Sequence, residues 1–261
     1  MRSLEAALDH LPDIQQRVQN KRVAVFLDYD GTLTPIVARP ELAVLSEEMR
    51  QTIIALSHRC TVAIISGRAR PDVEKMVQIE GLYYAGSHGF DIKGPGLELV
   101  PPEIRPILPK IAHAYEELVA ATRDISGCLV ENKTYALAVH FRLCDPAVVP
   151  NLEALVDAIV AKEASLRKTG GKMIFEIRAN LPWDKGRALD YFLSALHLSG
   201  SEVLPFYFGD DETDEDAFRA IATKGIGILV SESAQDSAAS YRLRNVAEVQ
   251  SFLDLLATWL A

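Results

Sequence analysis

The sequence predicts an α/β protein in which an open, mainly parallel sheet is interrupted by a second, smaller α/β unit. Three observations predict it. The runs VAVFL (Val23–Leu27), TVAII (Thr61–Ile65) and LPFYF (Leu204–Phe208) are of strand length and carry no polar alternation, as expected for parallel strands buried on both faces. Helical segments separate strands in the first third, the rhythm of right-handed crossovers. Between Ile104 and Ala179 the pattern changes to longer strands with polar residues on one face, which suits an antiparallel sheet open on that face.

The elements follow in order. Leu4, Ala7, Leu8 and Leu11 fall at helical spacing and predict an opening amphipathic helix. The first buried strand ends in Asp28. Ser46 then starts a helix with Glu47 and Glu48 in its first turn and His58 and Arg59 in its last, matching the helix dipole. The strand Thr61–Ile65 ends in Ser66-Gly67-Arg68, Pro71 suits the first turn of the next helix, and Leu82–Ala85 is a third short strand. A helix over Ile104–Thr122 opens the inserted segment. Strands Leu129–Lys133 and Tyr135–Arg142 pair across a tight turn, and Asp145-Pro146 opens a helix with an apolar stripe at Leu152, Leu155, Val156, Ile159 and Val160. Met173–Arg178 is a further strand. After Asn180 the first pattern resumes. Helix Asp184–Leu196 leads to the strand Leu204–Phe208, which ends in Gly209-Asp210-Asp211. Strands Gly225–Val230 and Tyr241–Leu243 and a closing helix from Val246 complete the chain. Residues 1–103 and 180–261 are expected to form one core, with 104–179 as the inserted unit.

Composition narrows the functional classes. The chain has 261 residues, 49% hydrophobic and 24% charged, the balance of a soluble globular protein. A formal net charge of −9 argues against nucleic acid or an anionic membrane as partner. It also requires any anionic substrate to meet a local cluster of Lys and Arg. Cys60, Cys128 and Cys144 are odd in number, widely spaced and without a CxxC, so reduced thiols in a cytoplasmic protein are expected. MRSLEAALDH lacks the apolar core of a signal peptide, and no run approaches the about 18 apolar residues of a membrane span. No coiled-coil heptad marks a dimer, and a monomer is expected.

Ligands of open α/β sheets bind beyond the carboxyl ends of the strands. Three apolar strands end in Asp28, Ser66 and Asp210, and Lys185 stands at a helix start. Two acidic clusters, a hydroxyl and an ammonium suit a phosphoryl group beside a divalent cation, and hard oxygen ligands suit Mg²⁺. At the strand tip Asp28 can attack phosphorus where metal and lysine offset charge repulsion. Asp30, two residues on, can give a proton to the leaving oxygen and then take one from the attacking water. Gly31 lets the backbone bend so that amide groups face the phosphate.

DYDGTLT, SGR from Ser66, Lys185 in PWDKG and FGDDETDEDAF from Phe208 resemble, in order, the four motifs of the haloacid-dehalogenase-like phosphohydrolases. The resemblance implies a Rossmannoid core with an inserted cap. It implies Mg²⁺ held by Asp28, the main-chain carbonyl of Asp30 and Asp210, with Asp211 or Asp214 in support directly or through water. It also implies that Ser66 and Lys185 hold the phosphoryl oxygens. Arg68 stays open between serving the phosphate and bracing its loop.

The chain is still more similar to the trehalose-6-phosphate phosphatases, from near Val23 almost to its end. GSHG (Gly86–Gly89), VENKTYALAVHFR (Val130–Arg142) and FEIRANLPWDKGRAL (Phe175–Leu189) look like that family's signatures, and two of them begin in the inserted segment. This resemblance implies hydrolysis of trehalose 6-phosphate to trehalose and phosphate through a phosphorylated Asp28. Residues matching Glu131, Lys133 and Glu176 would hold the distal glucose, with Arg142 and His88 as further substrate contacts. Strand parity is compatible: Glu131 and Lys133 share a face, as do His140 and Arg142, and Glu176 and Arg178. The alternatives are a phosphatase for sucrose 6-phosphate or for a glucosyl- or mannosyl-phosphoglycerate, and a non-catalytic sugar-phosphate sensor. Intact Asp28, Asp30, Ser66, Lys185 and Asp210 argue against the sensor.

Overall fold

The computed structural model describes residues 4–37, 39–171, 173–233 and 235–261. Two compact units result: Met1–Leu99 with Trp183–Ala261, and Val100–Pro182. The breaks lie outside the expected 104–179. Pro101 and Pro102 stand at the first of them, and a short 3-10 turn, Pro102–Ile104, precedes the helix that the apolar periodicity marks. Within the described residues no helix is long and apolar enough to cross a membrane.

The first unit begins with β1 (Glu5–Ala6), α1 (Leu11–Val18), β2 (Arg22–Leu27), α2 (Glu47–Ser57), β3 (Thr61–Ile65), α3 (Arg70–Val77), β4 (Tyr83–Gly86), β5 (Asp91–Gly94) and β6 (Leu97–Leu99). The second unit contributes α4 (Leu108–Thr122), β7 (Leu129–Asn132), β8 (Ala136–His140), α5 (Val149–Val160), β9 (Leu166–Gly171) and β10 (Ile174–Ala179). The first resumes with α6 (Lys185–Ala195), β11 (Val203–Gly209), α7 (Glu215–Ile221), β12 (Ile226–Val230), β13 (Tyr241–Leu243) and α8 (Val246–Trp259).

The sheet of the first unit runs β1-β13-β12-β11-β2-β3-β4-β5-β6. It is parallel from β1 to β4, and β5 and β6 add an antiparallel hairpin at one edge. Strand order reverses at β2. The chain moves outward to β3 and β4 on one side and returns through β11, β12 and β13 on the other. The carboxyl ends of β11, β2 and β3 are therefore neighbours at a topological switch point. Both faces are buried, which is why these strands lack alternation: Val23, Val25, Leu27, Phe206 and Phe208 pack on one side, and Ala24, Phe26 and Tyr207 on the other.

The opening helix is corrected. Glu5–Ala6 pair in parallel with Tyr241–Arg242 as an edge strand, and the α-helix begins only at Leu11. Tertiary pairing overrides the helical spacing there. Two residues are also too few to show any periodicity.

In the second unit the antiparallel sheet runs β7-β8-β10-β9. Leu137, Val139, Phe175 and Ile177 are buried on one face. Ala138 pairs with both Glu131 and Glu176, so these two carboxylates lie in one cross-strand row on the other face. β8 ends at His140, so the expected strand through Arg142 is corrected. Arg142 is exposed in the turn that follows. β9, which the sequence reading did not anticipate, forms the far edge.

Candidate active site

The tips of three adjacent strands carry the polar residues. Asp28 follows β2 and is tied to the neighbouring strand by its N–H to Phe208 O (2.9 Å). Its carboxylate Oδ1 accepts from Lys185 Nζ at 2.9 Å. The same ammonium donates to Asp214 Oδ1 at 2.7 Å. All three are buried, at 4%, 2% and 0% exposure for Asp28, Lys185 and Asp214. An ammonium in the first turn of α6 runs against the helix dipole, so its place is set by these carboxylates. Burial alone would depress the Lys185 pKa, but Asp214 and Asp28 more than offset it and hold the ammonium charged.

Asp214 is saturated. Its Oδ1 also accepts from the Tyr207 hydroxyl at 2.6 Å, and its Oδ2 accepts the N–H groups of Asp210 (3.0 Å) and Asp211 (3.1 Å). A carboxylate has about four acceptor sites, and protein donors fill them here. Tyr207 sits in β11 with its pKa raised by burial and by Asp214, so its hydroxyl keeps the proton that it donates. Asp211 turns toward the helix: it caps the turn Glu212–Asp214, accepting from Thr213 N (2.8 Å) and Thr213 Oγ1 (2.6 Å).

Asp28, Asp210 and Asp214 each offer an oxygen within 4.8 Å of the others. The donor set fits a hard divalent cation, which needs only one or two carboxylates and keeps several waters. Charge points the same way. Burial, Asp214, Asp210 and Asp211 push the Asp28 pKa well up, and Lys185 opposes them only in part. A dication would supply the missing positive charge. Gly31 allows the carboxylate of Asp210 to come close: its φ is +82°, and a Cβ there would lie 2.1 Å from Asp210 Oδ2.

Ser66 follows β3. Its Oγ accepts the Arg68 N–H at 3.1 Å, which leaves the hydroxyl proton available to an anion. The Ser66–Arg68 turn is strapped to GSHG by Ser87 N–H to Arg68 O (2.7 Å) and His88 N–H to Ser66 O (2.9 Å). Ser87 and His88 hold successive left-handed conformations at φ 50° and 58°, a strain of about 1–3 kcal/mol each that the straps maintain. His88 is buried against Gly67, where a Cβ would fall 2.8 Å from its ring. Arg68 forks onto Asp30, Nε to Oδ2 at 2.7 Å and Nη2 to Oδ1 at 2.6 Å, and Nη2 also donates to Pro40 O at 2.9 Å.

The structure thus brings together Asp28, Lys185, Asp210 and Asp214, and separately Ser66, Arg68, Asp30 and His88. The other predicted substrate contacts lie in the second unit. There Glu176 joins Lys133 Nζ (3.4 Å) and Arg178, and Glu131 joins His140 Nε2 (2.8 Å).

Comparison with known proteins decides the family. The family model described as Trehalose-phosphatase matches residues 26–247. The chain belongs to the trehalose-phosphatase family. This trehalose-phosphatase family member is 40% identical over 265 residues to "Probable trehalose-phosphate phosphatase 4" of Oryza sativa subsp. japonica, spanning 99% of this chain and 72% of that one. It is 40% identical over 269 residues to "Probable trehalose-phosphate phosphatase D" of Arabidopsis thaliana, spanning 97% and 72%. A solved C. albicans trehalose-6-phosphate phosphatase C-terminal domain shares the fold, with TM-score 0.79 and 23% identity over 99% of this chain and 100% of that one.

Two residues in contact with predicted ones are not singled out by the sequence: Tyr207, which donates to Asp214 in the first unit, and Arg178, which pairs with Glu176 in the second. Tyr207 lies in a run buried on both faces, where periodicity gives no direction. Arg178 was placed on the right face by parity, but its partner depends on side-chain reach.

Proposed function

We propose that the chain hydrolyses trehalose 6-phosphate to trehalose and inorganic phosphate, with Mg²⁺ as its cofactor. Family membership together with a buried carboxylate at a strand tip beside a charged lysine carries this reading. Asp28 is the nucleophile. It attacks phosphorus, the bond to the sugar oxygen breaks, and a phosphoryl-aspartate forms; water then attacks that phosphorus and restores Asp28. Lys185 offsets the repulsion between the Asp28 carboxylate and the phosphoryl oxygens, and Ser66 donates its hydroxyl proton to one of them. Asp30 gives a proton to the departing sugar oxygen and later accepts one from the attacking water.

Asp28 and Asp210 would hold Mg²⁺, with the Asp30 carbonyl in support. Bound there, the ion supplies positive charge to the phosphoryl oxygens. Asp214 works behind the metal, since its acceptor sites are taken, and it fixes Lys185 and the Asp210–Asp211 backbone. Asp211 serves as a helix cap. His88 braces the Ser66–Arg68 turn. Glu131, Lys133 and Glu176 recognise sugar hydroxyls by charge-assisted hydrogen bonds. The three free cysteines suit a reducing cytoplasm.

Phosphate release from a panel of sugar phosphates, with Mg²⁺ and with EDTA, tests the proposal. Trehalose 6-phosphate should be preferred over sucrose 6-phosphate and the phosphoglycerates, activity should vanish reversibly in EDTA, and Asp28→Asn should abolish turnover in a folded protein. Preference for another member of the panel would transfer the assignment to that substrate, and absence of release from every one would favour a sensor. Residual turnover in Asp28→Asn would exclude the phosphoryl-aspartate route.

A further inference from the structure

We propose that Arg68 is a positioning residue that acts through Asp30 and does not bind the phosphoryl group. The inference rests on the reading of Asp30 as the group that handles the leaving-group proton. Arg68 presents the edge formed by Nε and Nη2 to both carboxylate oxygens of Asp30, at 2.7 and 2.6 Å. This is the parallel two-bond geometry that a planar guanidinium provides and an ammonium does not. Nη2 is further committed to Pro40 O at 2.9 Å, and the guanidinium carbon lies 5.5 Å from the centroid of the Tyr29 ring. The Arg68 side chain is 14% exposed against 41% for Asp30. The arginine is therefore the fixed partner, and the carboxylate is the one that reaches solvent and substrate.

The backbone explains the rigidity of the fork. Arg68 N–H donates to Ser66 Oγ, and Arg68 O accepts from Ser87 N–H, so both main-chain polar groups of the residue are held. Asp30 sits in a tight turn of its own, closed by Leu33 N–H to Tyr29 O at 2.9 Å. Two loops that leave neighbouring strands, after β2 and after β3, are joined through this ion pair and through the Arg68 bond to Pro40 O. Proton transfer requires a defined donor position, and a displacement of about 1 Å can cost about a hundredfold in rate. Without the fork the Asp30 carboxylate would rotate freely while Asp28, Lys185 and Asp210 stayed in place. Each carboxylate oxygen keeps a second acceptor site beyond its bond to Arg68, so the clamped Asp30 can still carry or take a proton.

The discriminating experiment compares Arg68→Ala, Arg68→Lys, Asp30→Asn and the Arg68→Ala/Asp30→Asn double variant of the full chain with Mg²⁺. Three readouts are used: kcat on trehalose 6-phosphate, single-turnover release of p-nitrophenolate from p-nitrophenyl phosphate, and competitive inhibition by inorganic phosphate. The sugar alkoxide needs a proton to leave; p-nitrophenolate does not. General acid–base catalysis contributes about 10²–10⁴-fold. Arg68→Ala should therefore lower kcat on the sugar phosphate about ten- to hundredfold. Nitrophenolate release and phosphate inhibition should stay within about threefold of wild type, and the Arg68 loss should disappear once Asp30 is Asn, as for residues acting as one unit. Arg68→Lys keeps the charge but not the fork and should recover only part of the rate. It also keeps the test valid if the alanine variant folds poorly. Equal losses on both esters with weakened phosphate inhibition would overturn the proposal and make Arg68 a phosphoryl ligand. Losses that add in the double variant would overturn it too. If Asp30→Asn alone leaves sugar phosphate hydrolysis intact, the reading of Asp30 fails, and that result is visible before any Arg68 variant is considered.

Discussion

The Asp214 carboxylate lies at the centre of the buried network and accepts from Lys185, Tyr207, Asp210 and Asp211. Each donor has its own task. Lys185 links it to Asp28, the two backbone N–H groups shape the loop after β11, and Tyr207 holds it from within the sheet. Tyr207→Phe keeps the ring and removes only the hydroxyl, so it isolates that bond. A hydrogen bond to a charged group is worth about 1.5–3 kcal/mol, and a loss of that size is expected in urea unfolding with an unchanged m-value. kcat should fall as well, because Lys185 then shares a carboxylate that is less firmly held; an unchanged kcat would mean that Asp214 is fixed by the backbone donors alone. Asp28 and Asp210 were legible in the sequence because each sits where an apolar run stops. Tyr207 was not, since a strand buried on both faces conceals which way each side chain points. The sequence left open whether Asp211 or Asp214 supports a metal. Their hydrogen bonds differ, Asp214 accepting from Lys185, Tyr207 and two backbone N–H groups and Asp211 from Thr213, through contacts that no spacing encodes.

Elements bring these residues together by adjacency. β11, β2 and β3 are consecutive in the sheet, and their following loops converge within hydrogen-bonding reach. The loop after β2 is the most constrained, with Gly31 at φ +82° and its missing Cβ directed 2.1 Å from Asp210 Oδ2. Gly31→Ala should displace Asp210 as well as strain the turn. We expect a stability loss of about 1–3 kcal/mol from the backbone, together with a loss of Mg²⁺ affinity, measured by calorimetry, that exceeds any caused by Ala at an unrelated left-handed position. Equal metal affinity in wild type and variant would show that Asp210 can give way. At this scale the parallel strands and their order of appearance were readable, because buried runs and helix caps are local signals: Ser46 does cap α2, its Oγ accepting from Met49 N at 3.1 Å. The edges were not. β1 is two residues long, and β5, β6 and β9 fall in segments where glycine or charge interrupts any alternation. Their pairing is decided by the strand beside them.

Across the whole molecule, the groups suited to phosphoryl chemistry lie in one unit, and the charged sheet face that we assign to the sugar lies in the other. A chain with a formal net charge of −9 must concentrate its cations to attract a phosphate ester, and Lys185 is a buried cation held charged by its carboxylates. On the second face Glu131 is paired with His140, and Glu176 is paired with both Lys133 and Arg178. These pairs determine which substitutions are clean. Glu176 is buried, so Glu176→Ala would leave two cations without their carboxylate, and Glu176→Gln, which keeps the volume, is the better probe. Glu131 is more exposed than Glu176, so Glu131→Ala should disturb the fold less. Removing one charged hydrogen-bonding group should cost about 1.5–3 kcal/mol, or about ten- to hundredfold in kcat/KM on trehalose 6-phosphate. Part of the loss should appear in kcat, because binding energy remote from the reacting centre is used to align it. p-Nitrophenyl phosphate has no sugar to offer that face. Glu131→Ala, Lys133→Ala and Glu176→Gln should therefore leave its hydrolysis within about twofold of wild type, whereas Asp28→Asn should abolish hydrolysis of both substrates. Parallel losses on the two substrates would identify the face as structural support for the fold, and unchanged kinetics on both would identify it as solvated surface.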